Sequence, residues 1–232
     1  MKAMVLEEFG TDLVLRDVPR PVPAPGEVLV RVVVSGVNPL DTKIRSGAAA
    51  HARVTPPMIL GIDLSGVIAE VGPGVAGFAV GDEVYGMTGG VGDRPGSLAE
   101  YAAVDADLLA RKPARLSMAE AAALPLAVIT AWEGLVDRAN TRDGHLVLVH
   151  GGAGGVGHVA VQLTLLPLLT GQGRAHHGEI LAQAAALAEA GLLTPMVDPA
   201  PYSLETVADA HRVVESGQSG GKIVVQVGTA ER

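Results

Sequence analysis

The 232-residue chain has no cysteine, which excludes disulfides and thiolate metal ligands and suits a reducing, cytoplasmic setting. Aromatic residues make up only 3%, so a core must be assembled from Val, Leu, Ile and Ala, and the 48% hydrophobic content supplies them. Cationic surplus is lacking too: the net charge is −8 and no run of like charge occurs. Nucleic acid and anionic membranes select basic faces, so neither is expected as a partner. No stretch approaches the ~20 apolar residues of a membrane span. The first eight residues lack the apolar run of a signal peptide, and acids follow at once. A soluble, cytoplasmic protein is the expectation.

Glycine and proline are plentiful, 30 and 15 residues, which favours a β-containing fold with many turns. Short Val/Leu/Ile runs at 3–6, 13–17, 27–35, 62–71, 83–87 and 97–104 read as strands, separated by Pro- and Gly-rich breaks. Such spacing suggests a barrel or sandwich. From Ser117 the period changes. Ser117 and Glu120 have the spacing of a capping box, and helices are expected to Pro125 and over 127–139. Residues 177–190 form a strong helical pattern ending at Gly191, and 203–216 a second one with Ser203 as N-cap. A last strand is expected over 222–227.

The stretch His145-Leu-Val-Leu-Val-His-Gly-Gly-Ala-Gly-Gly-Val-Gly157 is the richest in chemistry. Residues 146–149 read as a fully buried parallel strand and 156–163 as the opening of a helix. Between them the glycines let the backbone turn tightly and approach a pyrophosphate. A glycine-rich turn without ligand is the plain alternative. A six-strand dinucleotide sheet needs on the order of 130 residues. Between Gly157 and the final strand no second buried strand pattern occurs. The chain carries the mark of a cofactor site and lacks most of the domain that completes it.

Several motifs then converge. Pro25-Gly-Glu-Val-Leu-Val-Arg31, Ser35-Gly-Val-Asn-Pro-Leu-Asp-Thr-Lys-Ile-Arg-Ser-Gly47, Gly61-Ile-Asp-Leu-Ser-Gly66, Val71-Gly-Pro-Gly74, Gly81-Asp-Glu-Val-Tyr85 and Gly96-Ser-Leu-Ala-Glu-Tyr101 follow one another in order. With the glycine loop and Gly221-Lys-Ile-Val-Val225, they resemble the medium-chain dehydrogenase/reductase superfamily, in its zinc-free quinone oxidoreductase branch. The resemblance implies an α/β protein: a GroES-like β-barrel catalytic domain plus a Rossmann dinucleotide-binding domain, truncated here or incompletely recorded. The implied divisions are 1–113 for the N-terminal part of the barrel domain, 114–173 for the incomplete Rossmann domain, and 174–232 for the return to the barrel.

The resemblance implies hydride transfer from NADPH to a quinone or an α,β-unsaturated carbonyl, in a homodimer. Zinc is not expected, since Asn38 and Ile62-Asp63 stand where zinc-using relatives carry Cys and a His-Glu pair. His176-His177-x-Glu179 is the remaining metal-like cluster and reads as a solvated helix turn. Asn38 is the first catalytic candidate, donating to an oxyanion or holding cofactor; an Asx-turn before Pro39 is its alternative. Lys43 is the second, standing where many relatives have Tyr as proton donor, and it is a slower acid unless desolvated. Asp41 and Arg45 would pair structurally. Cofactor contacts are implied for Thr130, for Gly152, Ala153, Gly154, Gly155, Val156 and Gly157, and for Lys222. Thr130 could instead bond back to a helical carbonyl. His150 and His211 read as structural histidines.

Two readings remain open. In one the chain is a zinc-independent reductase, and about 100 further residues belong between Leu163 and Thr164. In the other it is a non-catalytic deletion product, a small-molecule-binding or scaffold protein that keeps the barrel.

Overall fold

The computed structural model describes residues 1–92, 94–142, 145–164 and 176–228. Expectations for the Leu-Leu-Pro-Leu-Leu stretch after Thr164, including the division at 173/174, fall outside these residues, as does the side chain of His176.

Strand β1 (Lys2–Leu6) pairs antiparallel with β2 (Val14–Asp17) and with β4 (Met58–Ile59) in a three-stranded sheet. The larger sheet is built around β3 (Glu27–Gly36), which pairs along its length with β5 (Asp63–Val71). On its other edge, β3 is shared. Residues 27–31 pair with β7 (Tyr101–Asp105), and residues 34–36 with β10 (Val224–Gln226). Strand β6 (Glu83–Met87) and β8 (Leu109–Arg111) extend the sheet one way, and β9 (Tyr202–Ser203) runs parallel to β10 at the other end. An isolated bridge between Ala3 and Ala99 joins the two sheets. Val28, Val30, Val32, Leu64, Ile68 and Val84 fill one side, alternating along their strands as a half-buried antiparallel sheet requires.

A short helix, α1 (Pro39–Arg45), follows β3 directly. Pro39 at its first turn needs no N–H partner, and Asp41 turns back to accept the Asn38 N–H at 2.7 Å. Helices α2 (Met118–Ala122) and α3 (Pro125–Trp132) come next, α2 opened by the expected capping box of Ser117 and Glu120. Wider π-type turns continue α3 over Glu133–Arg138. Then come α4 (Gly157–Leu163), α5 (His176–Glu189) and α6 (Val207–Ser216). Helices α3, α4 and α5 share a core through Val128, Trp132, Val159, Leu163, Ile180 and Leu181, with Tyr85 of the sheet beneath. The Tyr85 hydroxyl donates to Leu181 O at 2.5 Å and ties α5 to the sheet.

The structure corrects several expectations. Residues 146–149 form no strand: Leu146 is 102% exposed and Leu148 82%. Among the described residues no parallel neighbour exists to take up their backbone groups, and an apolar run without neighbours cannot be a buried strand. Ser203 is not an N-cap; it lies in β9, and α6 starts after Thr206. Strand β10 begins only at Val224, while Lys222 makes a single parallel bridge to Val197.

Candidate active site

At the junction of β3 and α1 lies a cluster of charged and polar side chains that is almost wholly buried. Asn38 is 1% exposed, Asp41 1%, Asp63 0% and Lys222 6%. The Asn38 amide donates to Asp63 Oδ2 at 3.0 Å, and its carbonyl oxygen accepts from Lys222 Nζ. Lys222 Nζ also stands 3.4 Å from Asp63 Oδ2, and Asp63 Oδ1 accepts the Leu126 N–H at 3.0 Å. Lys222 thus sits between an amide oxygen and a carboxylate, where its charge is shared. Burial pushes the Asp63 carboxyl above the usual range, and Lys222 pulls it partly back. Asp41, held by the Asn38 N–H, is pushed up to about 7, again chiefly by burial.

The glycine loop meets this cluster. A Cβ on Gly155 would come no nearer than 3.8 Å to anything, and that nearest atom is Lys222 Cδ. At Gly152 the closest atom would be Val161 Cγ2 at 3.6 Å, so the loop offers open space for a close approach. Gly157 is different. There a Cβ would lie 2.0 Å from Gly151 O, which makes glycine obligatory for the turn. His158 fastens the loop: Nδ1 is 2.9 Å from Gly154 O, and Nε2 accepts the Met196 N–H at 3.2 Å. These features fit the pyrophosphate half of a dinucleotide. The adenosine half finds no fit, because no second parallel strand with an acidic or basic residue at its end exists among the described residues.

Beside the cluster opens a cleft of about 930 Å³, lined by Leu40, Ile62, Met87, Thr88, Leu126 and His177 among others. Its walls are mixed, apolar next to the cluster and charged at Arg53, Arg94, Asp105 and Asp107, and its size suits a small organic molecule. Only Pro39 separates Asn38 from Leu40, Ile62 precedes Asp63, and the Leu126 N–H bonds Asp63, so cleft and polar cluster share a wall.

Asn38 and Lys222 are therefore brought together, 184 residues apart in the chain, and Lys222 reaches the glycine loop. Lys43 is not part of the cluster: it is exposed on α1. Thr130 is exposed on α3 and makes no side-chain hydrogen bond among the described residues. Ala153 and Gly154 are exposed, and Gly152, Gly155, Val156 and Gly157 half-buried. The Asp41–Arg45 pair does not form. Arg45 instead bonds Asp12 at 3.0 Å and Glu215 at 2.8 Å, because Asp41 faces inward. His177 is no solvated residue either. It is 7% exposed and its Nε2 lies 3.3 Å from Glu133. Asp63 and Leu126 were missed as site residues. A lone carboxylate between Ile62 and Leu64, inside an apolar run, was the available signal.

Comparison with known proteins now places the chain. Residues 24–114 match the profile described as "Alcohol dehydrogenase GroES-like domain", and residues 130–225 the one described as "Zinc-binding dehydrogenase". A 2-methylene-furan-3-one reductase of Solanum lycopersicum is 32% identical, over 97% of this chain and 79% of the relative. That alignment runs over 306 positions, so the relative carries positions with no counterpart among these 232 residues. A chloroplastic NADPH-dependent alkenal/one oxidoreductase of Arabidopsis thaliana is 41% identical over 70% of this chain, which spans 44% of that protein. A solved alcohol dehydrogenase superfamily protein from Novosphingobium aromaticivorans superposes with a TM-score of 0.93 at 36% identity, covering 98% of this chain and all of that one. The chain belongs to the medium-chain dehydrogenase/reductase family, among its quinone oxidoreductase-like members. That is a family of NAD(P)H-dependent oxidoreductases.

Zinc does not fit the donors present. No group of three His, Cys, Asp or Glu among the described residues could hold a metal ion. The ammonium of Lys222 already fills the space between Asn38 Oδ1 and Asp63 Oδ2 where a cation would sit.

Proposed function

We propose that the chain carries the active site of a zinc-independent, NADPH-dependent reductase of quinones or α,β-unsaturated carbonyls. The carrying observation is Lys222, held by Asn38 and Asp63 in the barrel while its stem lies against Gly155 of the loop. Reductase names among the relatives, one of them NADPH-dependent, support the same reading. Bound NADPH supplies the hydride; the protein's part is to position and to stabilise charge. Gly152 through Gly157 would hold the pyrophosphate, and Thr130 would contact the nicotinamide end. The Asn38–Lys222 pair sets a fixed positive charge beside the place where the acceptor oxygen becomes negative. Leu40, Ile62, Met87 and Leu126 exclude water from the acceptor. Lys43, exposed on α1 and outside both the buried cluster and the cleft lining, is assigned the proton-donor role by its place in the family motif alone. A cytoplasmic homodimer, with barrel parts at 1–113 and 174–232 around an incomplete dinucleotide segment, belongs to this reading.

The exposed Leu146 and Leu148 favour a second reading, in which the 232-residue chain binds acceptors without turning them over. Loss of NADPH absorbance with p-benzoquinone and with an alkenal decides between the two. Turnover by the purified chain supports the reductase. Acceptor binding with no turnover supports the binding protein. In an active protein Asn38→Ala should lower kcat/KM for the acceptor, and an unchanged value would remove Asn38 from the mechanism.

A further inference from the structure

We propose that His177 is a substrate-binding residue of the cleft, and that it selects acceptors carrying an uncharged hydroxyl group. The inference rests on the reading of the cleft as the acceptor's site. His177 lines the cleft at the first turn of α5 and is 7% exposed. Its Nε2 lies 3.3 Å from Glu133 Oε1, while its Nδ1 is buried and has no hydrogen-bond partner among the described residues.

The bond to Glu133 decides what Nδ1 can do. A carboxylate oxygen only accepts, so Nε2–H donates to Glu133 and carries the hydrogen of the neutral ring. Nδ1 is then left with a bare lone pair, an acceptor and nothing else. Shielded from water, it is satisfied only by a donor that arrives with the ligand. A quinone or a simple enone offers acceptor oxygens alone. A hydroxyl on the same molecule supplies the missing hydrogen.

The place of the ring is fixed from several sides. A Cβ on Gly178 would stand 2.6 Å from Asp107 O, so glycine lets the start of α5 lie directly on the 105–108 turn. One turn further, the Tyr85 hydroxyl holds Leu181 O at 2.5 Å. Glu133 is placed by the π-type turns after α3, where Arg138 lies 3.8 Å from its other oxygen. Asp105 and Asp107 also line the cleft, and their carboxylates add acceptors on the turn against which α5 packs. The hydroxyl of Thr88, another lining residue, already donates to Ile62 O at 3.5 Å. Charge favours neither an anion nor a cation, since Arg53 and Arg94 on the lining are matched by the two aspartates. A neutral donor is what remains. A molecule with its carbonyl toward the Asn38–Lys222 cluster and its hydroxyl toward His177 matches both polar walls, and a few placed polar groups of this kind fix a ligand's orientation.

Isothermal titration calorimetry on the purified 232-residue protein tests this without any need for turnover. It is run at about pH 8, above the ordinary imidazole range. The probes are hydroxymethyl-p-benzoquinone and its methyl ether, which keeps the oxygen and loses the donor. The alcohol should bind about tenfold more tightly than the ether. His177→Phe, which keeps a flat ring in the wall and removes the acceptor, should bring the two to equal affinity. Nitrogen-15 shifts of the ring give a readout that packing alone would not move. Nδ1 should resonate as a bare nitrogen in the free protein and respond to the alcohol far more than to the ether. Equal binding of the two by wild type, an unchanged preference in His177→Phe, or a hydrogen on Nδ1 in the free protein would each overturn the assignment while leaving the cleft as the acceptor's site. Failure of both quinones to bind would remove the acceptor site itself, and the selection with it.

Discussion

At the scale of single residues, the molecule's most demanding feature is charge taken out of water. Among the described residues, Lys222 is the cation set against Asp63 and Asp41 in the buried cluster. Its removal is worse than an exposed salt bridge's loss, because two carboxyls stay behind without a counter-charge. Lys222→Met is expected to cost about 3–5 kcal/mol at neutral pH, and Asp63→Asn in the same chain should restore part of it. Urea midpoints of the two single variants and the double variant measure this, and simple additivity would mean that the two groups are uncoupled. His211 poses the opposite case. It is 1% exposed, both its ring nitrogens lack a hydrogen-bond partner among the described residues, and its pKa is pushed down to about 4, first by burial and then by the charge of Arg45. Glu215 and Asp12, which bond Arg45, oppose that shift. Because the folded value lies below the ordinary 6.5, the unfolded chain binds more protons between the two. Stability is therefore full above about pH 6.5 and lost as pH falls toward 4, by up to about 3 kcal/mol from this group. His211→Leu gives up no hydrogen bond, so thermal melts of the variant should fall less across that window than those of wild type. Parallel curves would remove His211 from the acid response.

At the scale of elements, neighbours decide what local pattern cannot. The strands of the barrel were legible because antiparallel pairs with one wet face leave an alternating signature, and 83–87 matches β6 residue for residue. Strands β4, β8 and β9, of two or three residues, are too short to show a period, and α1 was hidden in a motif that reads as a loop. Residues 146–149 show the limit most plainly. Four apolar residues before a glycine loop specify what the segment could do, and only the rest of the sheet determines whether it does so. The site divides the same way. Asn38 and Lys222 were readable from motifs, whereas their union with Asp63 and Leu126 is made by the return of β10 against β3. Helix α5 is likewise fixed by a contact invisible in its own sequence, the Tyr85 hydroxyl on Leu181 O. Tyr85 is fully buried, so Tyr85→Phe keeps the packing and leaves that carbonyl a bond short. A loss of about 1–2 kcal/mol is expected in chemical denaturation. No loss would mean that packing alone seats α5.

For the whole molecule, the question is whether barrel and helices unfold as one body. Strand β3 has partners on both edges, and its core residues Val28, Val30 and Val32 are fully buried. Helix α4 has only seven residues, below the length at which a helix stands alone in water. Its support comes from Val159 and Leu163 in the helical core and from Gln162, which bonds Thr194 in both directions. The sheet that would cover the glycine loop and the preceding segment is missing among the described residues. Local opening should therefore be cheap here and expensive in the barrel. Native-state hydrogen exchange is expected to show the amides of α4 opening well below the global free energy, with those of β3 and β5 opening only at it. Leu163→Ala, at a wholly buried position, should cost about 2–5 kcal/mol in the unit to which that residue belongs. If α4 opens on its own, its protection collapses while that of β3 barely changes. If protection falls by the same amount in both, the short helix and the barrel form one cooperative body, and the glycine loop is held as firmly as the sheet beside it.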